Sequence, residues 1–164
     1  MTAAAPGGGS PESSDARAVA ALIGRTPFTD FQVVVRCPHG GPAVVRNAPL
    51  DLRGRPFPTR DWLTCRVLDE AVSRLEAAGG VRMLEDDPEM HQHVADAHAS
   101  HQELHAGYRV AGSGDPAHVK CLHAHLAFGM AQGGSPVADW IRARTDIAWP
   151  ERCCVERLLP REDR

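Results

Sequence analysis

The chain has no run of about 18 apolar residues, which excludes a transmembrane helix. Its first residues, MTAAAPGGGSPESSDA, lack the basic start and apolar core of a signal peptide, so a cytoplasmic protein is expected. Excess positive charge is also missing. The net charge of -3 and pI near 6.3 give no electrostatic footprint for nucleic acid or an anionic membrane. Lys120 is the single lysine among 18 basic residues, and aromatics make up only 5%. No C-x-x-C pair, G-x-S-x-G elbow, Walker loop or dinucleotide fingerprint occurs, so the chemistries those motifs carry have no support.

What is present is histidine, nine residues, and cysteine, five. A reducing compartment would keep the cysteines as thiols or metal thiolates. The 164 residues suit one domain able to bury a core without disulfides. Residues 1–14, rich in Ala, Gly, Ser and Pro, predict a disordered tail; 15–158 predict a single globular domain and 159–164 a frayed end.

Asp15 opens a short helix with Val19, Leu22 and Ile23 on one side and Gly24 after it. FQVVVRC and PAVVRNAPL, joined by PHGG, predict a hairpin with Cys37 and His39 at its tip. DLRGRPFPTRDWLTC is expected to be extended, since each proline also restricts the residue before it. Val67, Leu68, Ala71, Val72, Leu75 and Ala78 repeat at helical spacing until Gly79–Gly80. A helix capped by Asp86 or Asp87 carries His91, His98, His101 and His105 on one face, expected to be solvated. HVKCLHAHLAFGMA leads into another helix, and Ser135–Pro136 start one more. The fold class is α+β and mostly helical, with a small N-terminal β-hairpin packed on about four to five helices.

Cys37, Cys65 and Cys121 sit at a hairpin tip, before a helix and at a helix start. Free backbone N–H groups and helix dipoles at such places favour thiolates. Zinc takes four ligands in a tetrahedron. The expected set is Cys37, Cys65, Cys121 and His123, with His125 and His39 as alternatives for the fourth ligand. On this reading Cys121 and His123 occupy the first turn, Leu122, Leu126 and Met130 face the core, and His118 and His125 are more exposed. Asp69, Glu70 and Glu76 are expected to form surface pairs with Arg66 and Arg74. Cys153–Cys154 are expected to be structural or incidental.

The segments RCPHGGPAVVRNAP, GRPFPTRDWLTC, SRLEAAGGVRML and VKCLHAH, in that order, resemble the bacterial, largely actinobacterial, domain of unknown function family five hundred and one. The resemblance runs from about Leu22 to about Pro136. It covers Cys37, Pro38, Gly40, Pro42, Pro56, Phe57, Pro58, Thr59, Leu63, Thr64, Cys65, Ser73, Leu75, Glu76, Lys120, Cys121, Leu122 and His123. Asp61 and Arg66 depart from the family's more usual aromatic and proline. The resemblance implies a small cytoplasmic protein with no assigned activity and no catalytic residue to transfer. Its gene neighbours imply a protein partner from cell-division or polyphosphate pathways.

Three functions are compatible with these residues. One is a structural zinc site that pins the hairpin to the helical body. Another is a small metal- or histidine-dependent hydrolase or transferase on a phosphate-containing substrate, with Lys120, Arg36, Arg46 and Arg60 holding the anion. The third is a non-catalytic interaction module using LAFGMA and ADWIRA, with Trp140 at its surface.

Overall fold

A computed structural model describes residues 14–159. The expected tail over residues 1–13 and the end over 160–164 lie outside the described residues. Helix α1 (Ser14–Ile23) begins one residue before Asp15 and is followed by Gly24 at φ 73°. Strands β1 (Phe31–Arg36), β2 (Pro42–Asn47) and β3 (Asp61–Leu63) form an antiparallel sheet in the order β1-β2-β3. Helices α2 (Arg66–Ala77), α3 (Gly80–Glu85), α4 (His91–Leu104), α5 (Leu122–Ala131), α6 (Pro136–Ala143) and α7 (Val155–Leu158) complete an α+β, mostly helical architecture. No helix among the described residues is long and apolar enough to cross a membrane.

The hairpin is therefore part of a three-stranded sheet. β3 lies in the proline-rich segment expected to be merely extended. It pairs Val44 with Leu63, Val45 with Trp62 and Arg46 with Asp61. Three residues are too few for an alternating pattern, and the partner strand lies elsewhere in the chain.

β2 is buried on both faces. Val44 packs with Val35, Cys65, Leu68 and Ala127 on one side, and Val45 with Phe31, Val33, Ala16 and Val19 on the other. The sheet thus sits between α1 and the helical body. The β1–β2 register shifts between Val33 and Val35. Such a bulge turns later side chains over, so Val35 joins the helical side while Phe31 and Val33 face α1.

α5 is the central element. Leu122, Ala124, His125, Leu126, Ala127, Phe128 and Gly129 are all buried, as expected for a helix apolar on every side. Leu122 and Leu126 meet Val72, Leu75, Val94, Val119, Val137 and Ile141 in the largest core cluster. α6 lies close against α5 because residue 129 is glycine. A Cβ there would meet the Cβ of Ala138 and Oγ of Ser135, each at 2.5 Å. Ser135 Oγ accepts the Ala138 N–H at 3.1 Å and Pro136 occupies the first turn, as expected of this N-terminus.

One expectation is corrected in the helical body. The histidine ridge of α4 is not solvated: His98, His101 and His105 are buried, while His91 is exposed. The segment after α4 folds back over that face, with the Val110 N–H donating to His98 Nδ1 at 3.2 Å. The apolar stretches of α5 and α6 are buried in the core, as expected for Leu122 and Leu126. Trp140 is buried and donates its indole N–H to Asp87 Oδ2 at 2.9 Å.

Candidate metal centre and its cavity

Cys121 is the N-cap residue of α5, in extended conformation, and Leu122 is the first helical residue. Because Cys121 lies outside the helical spiral, its side chain turns back toward His123. Its Sγ lies 3.7 Å from His123 Nδ1. Glu76, near the end of α2, completes the group. Its Oε1 accepts the Leu122 N–H at 2.6 Å and lies 3.2 Å from His123 Nδ1. A carboxylate there satisfies one free N–H of the α5 N-terminus and meets the positive end of its dipole. Glu76 is thus not the surface partner of arginine expected from charge patterning.

The opposite ring nitrogen is also engaged. His123 Nε2 lies 3.2 Å from the Asp69 carbonyl, 3.2 Å from Ser73 Oγ and 3.5 Å from Asp69 Oδ1. Asp69, Ser73 and Glu76 are four and three residues apart, which places them on one stripe of α2. A carbonyl can only accept, so Nε2 carries a proton, and Nδ1 is directed at Cys121 and Glu76. Metal-binding histidines are oriented this way by a carbonyl or carboxylate on the far nitrogen. Burial alone would lower the His123 pKa. The Cys121 sulfur and the Glu76 charge outweigh it and raise the value to about 9.

One ligand atom from each of Glu76, Cys121 and His123 lies within 4.8 Å of the others, and all three residues are half-buried. Thiolate, imidazole and carboxylate are the donor types zinc takes. Cys121 and His123, but not Glu76, line a cavity of about 550 Å³. Arg25, Arg66 and Lys120 line the wall, with Thr59, Thr64, Asp61, Trp62 and Asp69. Of the four cations expected to hold an anion, only Lys120 lines it. Arg36 is paired with Asp15 at 2.7 Å and Arg46 with Asp61 at 2.8 Å, while Arg60 donates Nε to the Asn47 carbonyl at 2.9 Å.

Cys37 and Cys65 lie in another neighbourhood. With Cys153, Cys154 and His39 they line a narrow cavity between the hairpin tip and the C-terminal segment. Cys37 Sγ is 3.9 Å from Cys153 Sγ, and His39 Nε2 donates to the Pro150 carbonyl at 2.6 Å. Cys65 is the N-cap residue of α2, and burial pushes its thiol pKa up. Among the described residues, no group of ligand atoms within 4.8 Å joins the Cys37–Cys65 pair to the Cys121–His123 pair. His125 is buried, not exposed, and neither of its nitrogens has a hydrogen-bond partner.

Residues 33–111 match the model of a family described as protein of unknown function (DUF501). Over that span, just under half of the chain, the protein is similar to the DUF501 family. The DUF501 match includes Cys37, Cys65, Asp69, Ser73 and Glu76 but stops short of Lys120, Cys121 and His123. No curated protein and no solved structure matches the chain. Sequence reasoning missed Glu76 as a candidate ligand, although the resemblance already included Ser73 and Glu76. Cys153 and Cys154 gave no comparable signal, because adjacency alone does not indicate what they meet.

Proposed function

We propose that this chain is a zinc-dependent hydrolase or transferase acting on a phosphate-containing substrate, with Glu76, Cys121 and His123 as the metal ligands. The observation that carries the reading is a three-ligand group whose Cys121 and His123 line a cavity walled by Arg25, Arg66 and Lys120, with Glu76 behind them. Structural zinc sites are closed by four protein ligands, whereas catalytic ones keep three and an open position. Zinc held there supplies Lewis acidity.

The protein's own groups have separate roles. Arg25, Arg66 and Lys120 bind the anionic group. The Arg25 guanidinium stacks on Trp62, 5.1 Å from the ring centroid, which positions its donors at the cavity wall. Asp69 and Ser73 hold the His123 ring with Nδ1 directed at Cys121 and Glu76.

The test is metal analysis of untagged protein followed by a phosphoester and polyphosphate screen. Stoichiometric zinc that falls with Cys121→Ser, and turnover that falls with Lys120→Ala at unchanged zinc content, are expected. Zinc content indifferent to Cys121→Ser would reject the metal, and the absence of metal-dependent turnover would reject the enzyme.

A further inference from the structure

β3 and the chain at the C-terminal end of α4 bring together three buried groups that the reading above does not use. Asp61, His101 and His105 each offer a ligand atom within 4.8 Å of the others. Their side chains are all at least 97% buried, with exposures of 1%, 1% and 3%. Asp61 stands on β3, while His101 and His105 are four residues apart and so share one side of α4.

The hydrogen bonding around these groups is incomplete. His101 Nδ1 donates to the Tyr108 carbonyl at 2.6 Å, which leaves Nε2 with a free lone pair. His105 has no hydrogen-bond partner on either ring nitrogen; its Nε2 approaches Asp61 Oδ2 only to 3.4 Å. A buried polar group without a partner costs roughly 1–3 kcal/mol and calls for an explanation such as an ion. The backbone next to the site is strained as well. Ala106 at φ 53° and Ala111 at φ 54° occupy the left-handed region that alanine avoids. This turn puts the Tyr108 carbonyl against His101.

We propose that Asp61, His101 and His105 bind a divalent first-row transition metal ion. Two imidazoles and one carboxylate suit zinc, iron, nickel or copper, and not calcium or magnesium, which prefer all-oxygen sites. The Tyr108 carbonyl and Arg46 orient the ligands. Arg46 holds Asp61 at two points, Nε donating to Oδ1 at 2.8 Å and Nη2 to Oδ2 at 3.3 Å, and Oδ2 also faces His105. The Arg46 charge opposes a cation and so selects ions high in the divalent affinity order. The bound ion would cross-link β3 to α4 beside the cavity, which Asp61 also lines. This site is independent of the Glu76–Cys121–His123 reading.

Cobalt(II) titration of untagged, metal-free, full-length protein separates the two. Cobalt bound to cysteine shows a thiolate-to-metal charge-transfer band, and cobalt bound to nitrogen and oxygen does not. The wild type should bind one equivalent without that band. His105→Gln should lose it and keep any sulfur band, whereas Cys121→Ser should retain it. Ring-proton resonances of His101 and His105 in the wild type should show paramagnetic shifts, a readout that stands if His105→Gln fails to fold. Unshifted rings overturn the proposal, as does a folded His105→Gln protein with undiminished cobalt. Adventitious binding at exposed His91 or His118 gives the unshifted result.

Discussion

Cys37 and Cys153 lie 116 residues apart in the chain, yet their sulfur atoms stand 3.9 Å apart across Gly41. A Cβ at residue 41 would lie 2.3 Å from Cys153 Sγ and 3.4 Å from Cys37 Sγ. Its φ is not in the left-handed region, so the constraint is space and not backbone conformation. Gly41→Ala should cost about 1–3 kcal/mol by overpacking. Adding Cys153→Ala should recover most of that loss. A urea double-mutant cycle in chelator measures the coupling, and strict additivity would refute the contact.

His98 and His125 are both buried, with ring centroids 5.0 Å apart, but they differ in hydrogen bonding. His98 donates to the His118 carbonyl at 3.1 Å and accepts the Val110 N–H. His98→Leu should destabilise by about 1–3 kcal/mol, because it leaves the Val110 N–H unpaired, while the His118 carbonyl keeps the Ser113 hydroxyl. His125→Leu removes a polar ring with no partner and should be neutral or stabilising by up to about 1 kcal/mol. Equal losses in urea unfolding would contradict this ranking.

The metal-free protein should lose stability in mild acid. Burial lowers the pKa of His98, His101, His105 and His125. His105 falls to about 4, with repulsion from His101 added and attraction from Asp61 opposing. His125 falls to about 3 beside His98 and His101. The unfolded chain binds these protons near pH 6.5, before the folded protein does, so stability declines as pH drops from about 6.5. Each fully shifted histidine costs about 1.4 kcal/mol per pH unit below that point. His123 has the opposite sign. Its contribution is complete below about pH 6.5 and fades as pH rises through about 9. Urea midpoints between about pH 7 and about pH 5 in chelator should fall, less steeply for His125→Leu. A flat profile would mean that these imidazoles are not held neutral.

Trp140→Ala should destabilise by about 3–5 kcal/mol through the lost core volume. It also removes the indole donor from Asp87, whose carboxyl pKa that hydrogen bond lowers. Trp140→Phe keeps most of the volume and should cost less. Thermal unfolding of the two variants checks the order, and a fully stable Trp140→Ala would place the indole outside the core.

Local rules carried the sequence reading a long way. Helical spacing from Val67 to Leu75, Gly79 after it, and Ser135–Pro136 at a helix start all depend on nearby residues, and all appear where expected. Cys121 at the head of α5 and the core position of Leu122 and Leu126 follow from the same local chemistry. The partners of those residues do not. Glu76 meets Leu122 and His123 from 46 and 47 positions away, and periodicity carries no such information. Cys153 meets Cys37 only because the C-terminal segment returns to the hairpin tip. Burial of the α4 histidines was likewise a tertiary decision. The helix pattern marks one face, but the fold-back of residues 105–121 over it depends on backbone turns at Ala106 and Ala111. Sequence spacing thus determined which side chains each element presents, and long-range packing decided which of them face one another.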